Sequence, residues 1–197
     1  TEPLHFHAWK EVLKKYNIKL TKNIFTKELA GKGDEATAMH YAKKFNLDAE
    51  TLVKEKRRIY AKLIKKTKPM PGAKEVIIKF RKFVPVAAAS SSKKRFVKFI
   101  LRKTGILKML NVLTTGDDVK HLKPYPDIYL LAARKLGVPA RKCLAFEDTS
   151  TGIESAKRAG MYCIAVPNEY TRLQDFSRAY IVARSLKDLD IEEILKL

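Results

Sequence analysis

Cysteine is scarce in this sequence, because only Cys143 and Cys163 occur among 197 residues. A disulfide framework needs more cysteines and usually a smaller chain, so that class of secreted scaffold is excluded. Each cysteine lies in a short apolar run typical of a buried strand, which favours two reduced thiols and a cytoplasmic protein. The chain also lacks any apolar run near the roughly 20 residues that a membrane helix needs, and its first residues show no signal-peptide pattern. No membrane partner is expected.

Acidic residues are too few to balance the basic ones: 21 Asp and Glu stand against 41 Lys and Arg, for a net charge of +20. Residues 1–68 carry +9 and residues 69–197 carry +11, so the excess is not a basic tail. This charge attracts anions, including nucleic acid and phosphorylated metabolites. No basic motif interleaved with aromatics accompanies it, which makes nucleic acid an unlikely partner. The alternative interpretation is a lysine-rich solvated surface.

Helical spacing dominates residues 1–68, where no strand pattern occurs. Phe6, Trp9 and Leu13 recur on one face of a first helix, and Asp34 is a candidate N-cap for a later one. The proline-rich junction KPMPG at residues 68–72 ends this part. We therefore predict a helical domain over 1–68 and a second domain over 69–197.

Strands and helices alternate after the junction. The predicted strands are 84–89, 111–115, 143–146, 162–166 and 180–182, and the predicted helices are 73–82, 93–103, 126–136, 151–160 and 190–195. Thr151 and Glu154 are interpreted as a capping box for the fourth of these helices. This alternation predicts an α/β fold with a Rossmann-like parallel sheet covered on both faces, and the helical part lying aside as a cap.

Polar side chains follow the first strand of this sheet, where a doubly wound fold binds its ligands. Ser90 and Ser91 come directly after the strand, and Lys93 opens a basic helix. Hydroxyls and free amides at a helix N-terminus suit a phosphate group. An ordinary serine N-cap is the alternative.

Charged side chains follow the next two strands. Lys123 lies beside a helix start fixed by two prolines, where it could neutralise a phosphoryl oxygen and an attacking carboxylate. Glu147 and Asp148 end a later strand, and paired carboxylates there suit Mg²⁺. A solvated lysine and a capping aspartate are the alternatives for single residues. Serine, lysine and an acidic pair on successive strand ends together indicate a phosphoryl-transfer site.

These stretches resemble the motifs of the haloacid dehalogenase superfamily, in its branch of β-phosphoglucomutase-like and phosphoglycolate phosphatase-like proteins. VAAASSS at 86–92 is similar to the second motif, KPYPDIY at 123–129 to the lysine motif, and FEDTSTGIESAKRAG at 146–160 to the acidic motif. TEPLH at 1–5 looks like the stretch that follows the first motif. The resemblance spans essentially the whole chain and implies a Mg²⁺-dependent phosphatase of a small phosphorylated metabolite, acting as a monomer.

The resemblance also implies roles for single residues. Ser90 would hold the transferring phosphoryl group and Lys123 would bridge it to the nucleophile. Asp148 would bind Mg²⁺, with Glu147 either as a further ligand or as a neighbour that holds the metal's ligands in place. The remaining candidates for contact with the phosphate or the rest of the substrate are Ser91 and Lys93 in the core, and His5 and Lys32 in the hinge or cap loop.

The family's first motif, Asp-x-Asp after a strand, has no counterpart in this sequence. Its first aspartate is the nucleophile that becomes an aspartyl-phosphate, and its second is the general acid–base. We expect about 15 further residues ahead of Thr1, enough for a strand and its loop, and expect residues 1–197 alone to be inactive.

Two other functions stay open at this stage. A β-phosphoglucomutase-like sugar-phosphate mutase is one, because HFHAWK at 5–10 is similar to the start of the cap in such enzymes. A catalytically inactive module that binds anions or a partner chain is the other.

Overall fold

Two compact units make up the chain, and the computed structural model describes residues 1–196 of it. The first unit contains Thr1–Thr67 together with Asn168–Gln174, and the second contains Lys68–Pro167 and the residues from Asp175 onward. The sequence had assigned 168–174 to the second domain, whereas this short stretch packs with the helices of the first unit. No helix within residues 1–196 is long and apolar enough to cross a membrane.

Helices form the first unit. They are α1 (Glu2–Lys14), α2 (Lys22–Ile24), which continues into a π-helical turn (Phe25–Leu29), α3 (Asp34–Phe45) and α4 (Ala49–Leu63), followed by a 3-10 turn (Ile64–Lys66). Pro3 occupies the first turn of α1, where its missing N–H has no partner to lose. The apolar face of α1 packs into a core that also contains Phe25, Leu52 and Tyr170.

Two helix starts in the first unit differ in how they are capped. Asp48 caps α4 as an N-cap should, accepting the Thr51 N–H at 2.7 Å. The prediction that Asp34 caps α3 was wrong, because Gly33 is the N-cap and Asp34 is the first helical residue. The Asp34 carboxylate turns to a long-range partner instead, a buried lysine of α4.

The second unit alternates helices and parallel strands. Its helices are α5 (Ala73–Phe80), α6 (Lys94–Lys103), α7 (Asp127–Leu136), α8 (Ser150–Arg158) and α9 (Ile191–Ile194), and its strands are β1 (Ala87–Ser90), β2 (Val112–Thr115), β3 (Leu144–Glu147), β4 (Tyr162–Ala165) and β5 (Ile181–Val182). The predicted α/β class is thereby confirmed.

The strands form two parallel sheets rather than the single one expected. β1 pairs with β2, while β3, β4 and β5 pair in that order; within residues 1–196, β1 and β3 are not bonded to each other. Apolar side chains cover both faces of the larger sheet. Cys163 faces a cluster with Ile128 and Ile153, whereas its neighbour Ile164 faces a cluster with Val76 and Phe80. Cys163 is buried within β4, as predicted, whereas Cys143 is only partly buried and precedes β3; both are free thiols.

Candidate active site

Lys123 lies at the centre of the candidate site, in the loop after β2. Its Nζ atom forms an ion pair with the carboxylate of Glu147, the last residue of β3. The same Nζ donates to the Ala89 carbonyl oxygen of β1 at 3.1 Å. The lysine motif thus joins the carboxyl ends of strands from both sheets.

Tyr129 of α7 completes this buried group. Its hydroxyl donates to the same Glu147 oxygen that Lys123 contacts, and it lies 3.4 Å from Lys123 Nζ. Burial first, and then the neighbouring Glu147 carboxylate, raise the pKa of Tyr129 well above its usual value. The phenol therefore stays protonated and can act as a donor to the carboxylate.

Glu147 has room for its carboxylate only because residue 152 is glycine. A Cβ atom on Gly152 would lie 1.9 Å from Glu147 Oε2 and 2.1 Å from its Cδ, far inside any real contact. The local chain is held by Thr149, whose Oγ1 accepts the Gly152 N–H at 3.1 Å and caps α8. The acidic motif thus supplies both the carboxylate and the space for it.

The capping box predicted from Thr151 and Glu154 was wrong. The N-cap of α8 is Thr149, two residues earlier. Glu154 instead forms ion pairs with Arg158, at 2.6 Å, and with Arg178. Arg178 is distant in sequence, so spacing alone could not show that Glu154 had a partner there.

Ser90 and Ser91 end β1 beside the lysine motif. Ser90 Oγ accepts the Ser92 N–H at 3.3 Å, and Ser91 Oγ accepts the Lys123 N–H at 3.3 Å. The loop after β1 is therefore bonded to the loop that carries Lys123. Ser90 directly follows Ala89, whose carbonyl oxygen accepts from Lys123 Nζ.

Lys93 does not face an open anion site in this structure. Its Nζ pairs with Asp117 Oδ1 at 3.0 Å, and Asp117 Oδ2 also accepts the first N–H of α6, that of Lys94, at 2.8 Å. This hydrogen bond from the Lys94 backbone, followed by that from Lys93, lowers the pKa of Asp117. The Asp117 carboxylate thus accepts at the N-terminus of α6, and the role of Lys93 in phosphate binding stays a prediction.

Asp118 fixes the same loop. Partial burial would raise its pKa, but hydrogen bonds from Lys94 and Thr115 outweigh burial and lower the pKa to about 2. Its Oδ2 accepts from Thr115 Oγ1 at 2.6 Å and from the Thr115 N–H at 2.9 Å. Neither Asp117 nor Asp118 was a candidate from the sequence, although both follow directly on a predicted strand.

Glu147 and Asp148 are the two carboxylates of the acidic motif that the sequence proposed for a metal ion. Glu147 is buried and Asp148 is half-buried at the end of β3. In the described part of the chain, no group of three or more His, Cys, Asp or Glu side chains could hold a metal. Mg²⁺ commonly takes one or two carboxylates and fills its other positions with waters and substrate phosphate, so this hard-oxygen pair fits it.

A second polar cluster lies inside the helical unit, around Lys56 of α4. The Lys56 side chain is fully buried, with Nζ 2.5 Å from Asp34 Oδ1, 2.7 Å from His5 Nδ1 and 4.4 Å from the centre of the Tyr60 ring. Burial, and secondly the Lys56 charge, lower the pKa of His5 well below its usual value, so the imidazole is neutral. Lys32, by contrast, is exposed.

The burial of Lys56 is predictable from the sequence. Leu52, Lys56 and Tyr60 follow one another at intervals of four residues, and all three are buried on one face of α4. A lysine in the middle of an apolar stripe predicts a buried charge with a dedicated partner. His5 and Lys56 belong to the helical unit and Ser90, Lys123 and Glu147 to the α/β unit.

Comparison with known proteins identifies the family. Residues 1–166 match the family model described as haloacid dehalogenase-like hydrolase. The fructose-1-phosphate phosphatase YqaB of Escherichia coli is 30% identical over 171 residues, which cover 84% of this chain and 89% of that protein. The phosphorylated carbohydrates phosphatase of Thermotoga maritima is 31% identical over 168 residues, covering 82% of this chain and 76% of that protein.

Other similar proteins are matched over less of their length or with lower identity. YhcW of Bacillus subtilis is 40% identical over 126 residues, which span 64% of this chain and 57% of YhcW. The crystal structure of CbbY from Rhodobacter sphaeroides in complex with phosphate superposes with a TM-score of 0.84 at 26% identity, over 96% of this chain and 90% of that one. A β-phosphoglucomutase from Clostridium difficile, at 23% identity and a TM-score of 0.84 over 99% and 89% of the two chains, shares the fold.

Proposed function

This chain belongs to the haloacid dehalogenase-like hydrolase family, and we propose that it forms the greater part of a phosphatase acting on a small phosphorylated metabolite. The phosphatases of E. coli and T. maritima to which it is similar act, by their names, on fructose 1-phosphate and on phosphorylated carbohydrates. A phosphorylated sugar is therefore the substrate class we favour. The observation that carries the proposal is the buried Lys123–Glu147 pair at the carboxyl ends of β1 and β3.

Lys123 is proposed to hold positive charge against the transferring phosphoryl group. Its Nζ is confined by Ala89, Tyr129 and Glu147, so little reorganisation is needed when a phosphate oxygen takes one of these contacts. Ser90, next to Ala89, is proposed to hydrogen-bond the phosphoryl oxygens.

Glu147 and Asp148 are proposed to hold Mg²⁺, with Asp148 as the main ligand. When bound, Mg²⁺ would supply positive charge to the phosphoryl oxygens. Glu147 Oε1 already accepts from Lys123 and Tyr129. Its second oxygen, Oε2, lies against Gly152. The two donors fix the carboxylate's orientation from one side, which is how a surrounding shell commonly orients a ligand.

The nucleophile is proposed to be the first aspartate of the family's Asp-x-Asp motif, which follows a strand. The run Asp188-Leu189-Asp190 is not that motif, because Asp188 ends a 3-10 turn and Asp190 caps α9. A carboxylate oxygen of the motif's first aspartate would attack phosphorus as the bond from phosphorus to the ester oxygen breaks. The leaving alcohol takes a proton from the second aspartate. Water then attacks phosphorus and gives a proton to the second aspartate, while the bond from phosphorus to the first aspartate breaks and phosphate leaves. The proposal includes a cytoplasmic, monomeric enzyme.

Phosphate release from a panel of sugar phosphates tests this function on protein purified from its native source, after an intact-mass measurement has defined its N-terminus. We expect Mg²⁺-dependent turnover, and a loss of at least about 100-fold in kcat for Asp148→Asn, since metal ligands commonly carry that much of the rate. Asp175→Asn is the matched control, because Asp175 is an exposed aspartate whose carboxylate accepts the Ser177 N–H at 2.8 Å.

Three outcomes distinguish the functions. Hydrolysis that needs no bisphosphate activator supports the phosphatase. Interconversion of sugar phosphates that requires a bisphosphate identifies the mutase instead. Absence of both activities in protein that carries the Asp-x-Asp motif would refute the proposal and favour an inactive binding module.

A further inference from the structure

Half of the net charge lies in one stretch of the second unit. Residues 76–116 contain no aspartate or glutamate and ten lysines and arginines. The stretch runs from within α5 through β1 and α6 to the end of β2. The total for residues 69–197 does not reveal this concentration. Within that range, the acidic residues of 117–197 nearly balance the basic residues of the same segment, so almost all of the excess lies in 76–116.

Most of these cations have no carboxylate beside them. Lys93 and Lys94 pair with Asp117 and Asp118. Among residues 1–196, no carboxylate oxygen lies within 4.0 Å of the other eight, all of which are exposed. These eight are Lys79, Arg81, Lys82, Arg95, Lys98, Arg102, Lys103 and Lys108. Uncompensated like charges destabilise the folded state by mutual repulsion, so such a cluster is expected where an anionic ligand relieves it.

Helix α6 arranges three of these cations in a row. Arg95, Lys98 and Arg102, with Phe99 between them, follow the spacing of one helix face, and all four are exposed. At a rise of about 1.5 Å per residue the row is about 10 Å long. Phe99 is 41% exposed in the middle of it. We name these four residues the α6 row.

The sequence argued against nucleic acid as a partner because no known basic and aromatic motif stood out, but on the folded helix Phe99 lies between cations of one face. We propose that the α6 row binds single-stranded nucleic acid, with the three cations on successive phosphates and the Phe99 ring against a base. Proteins that bind single strands without sequence preference combine a positive track with aromatic rings on which bases stack. Arginine suits the phosphate contacts because its planar guanidinium donates two parallel hydrogen bonds. Binding would be independent of the hydrolase site and of base sequence.

An anionic lipid surface is a poorer match to the same charges. A helix that lies in a membrane interface needs a free apolar face to bury among the acyl chains. The apolar face of α6 is already used, because Phe96 and Val97 are 6% and 8% exposed in the packed unit. The α6 row itself is cationic apart from the Phe99 ring, which favours a hydrated polyanion.

Fluorescence anisotropy with a labelled 15-nucleotide thymidine strand tests the proposal on the full chain. The variant carries Arg95→Gln, Lys98→Gln and Arg102→Gln. The wild-type protein should bind with a steep dependence on salt between about 50 and 200 mM, and the variant should lower the slope of log K against log salt by about 2, at about 0.7 for each lost phosphate contact. At about 100 mM salt we expect at least about a tenfold loss of affinity.

A second triple variant separates the α6 row from net charge alone. Lys54, Arg58 and Lys62 lie on exposed positions of α4 in the helical unit, and glutamine at all three removes the same three charges. Helix α4 also carries Glu50 and Glu55, so the electrostatic potential at its surface has contributions of both signs. The control should retain affinity within about twofold, and circular dichroism should show both variants folded.

Equal losses in the two variants would mean that the strand responds only to total charge, and would overturn the proposal. So would failure of the wild-type chain to bind the strand at about 50 mM salt, where phosphate contacts are strongest. Vesicles of anionic lipid provide the last comparison: if they, and not the strand, lose binding in the α6 variant, the partner is a membrane surface and the assignment to nucleic acid is wrong.

Discussion

Replacing Gly152 by alanine should disturb the candidate site more than the addition of one methyl group suggests. The new Cβ would lie 1.9 Å from Glu147 Oε2, so the carboxylate must move. The backbone offers no other obstacle, because Gly152 lies within α8 and is not among the glycines with positive φ. The predicted effect therefore depends on one contact between two side-chain positions.

The magnitude follows from what the carboxylate would lose. The Lys123 and Glu147 side chains are 11% and 7% exposed, and breaking a buried ion pair of this kind costs up to about 3–5 kcal/mol. Alanine in a helix recovers about 0.5–1 kcal/mol relative to glycine. Because the carboxylate can shift and keep part of its contact, we expect a net loss of about 1–3 kcal/mol in the free energy of unfolding.

A double-mutant cycle with Glu147→Ala isolates the clash. Chemical denaturation followed by circular dichroism gives the free energy of unfolding for the four proteins. Once the glutamate side chain is removed, Gly152→Ala should be neutral or stabilising by up to about 1 kcal/mol. If alanine at 152 costs the same in both backgrounds, or stabilises the wild-type chain, the steric argument is wrong.

Three further predictions concern buried and ionised groups. Tyr129→Phe should lower the free energy of unfolding by about 1–2 kcal/mol, because the buried carboxylate loses a donor; Tyr125→Phe, at a side chain 51% exposed, should leave it unchanged. The pKa of Asp118 is lower in the folded than in the unfolded state, so its stabilising contribution is present above about pH 4 and is lost as the pH falls toward about 2. In Asp118→Asn the free energy of unfolding should therefore change less with pH between about 4 and 2 than in the wild-type protein. The same pH dependence in both proteins would contradict the assignment. The Cys163 thiol, with burial raising its pKa to about 12, should not react with a disulfide reagent at pH 8 until the chain is denatured.

Local signals predicted most of the secondary structure because they act within a few residues. Gly137, in a left-handed conformation, directly follows Leu136, the last residue both of α7 and of the helix predicted over 126–136. Alternation of apolar runs likewise located the five strands to within a few residues. The order of lysine and acidic pair on successive strand ends placed Lys123 and Glu147 at the same end of the fold, and the structure pairs these two side chains.

Long-range partners account for what the sequence did not predict. Asp34 was expected to cap α3, but a buried lysine 22 residues away takes its carboxylate. Lys93 was a candidate phosphate contact, and the sequence did not predict that Asp117, from the loop after the following strand, pairs with it. In each case the sequence identified the charged side chain. It did not show which oppositely charged residue the fold places next to it. The roles of Ser90, Lys123, Glu147 and Asp148 stay predictions until substrate and metal are tested.

The two-part composition of the helical unit matters for anyone who wishes to move or remove it. Tyr170, from the Asn168–Gln174 stretch, packs its ring 5.4 Å from that of Phe6 and 6.4 Å from that of Phe25, and Gln174 donates to the Ala30 carbonyl oxygen at 2.9 Å. The polypeptide therefore passes between the units three times. A single proteolytic cut after Thr67 would not release an intact helical module, and a chimera that exchanges only residues 1–67 would inherit a core without one of its aromatic rings.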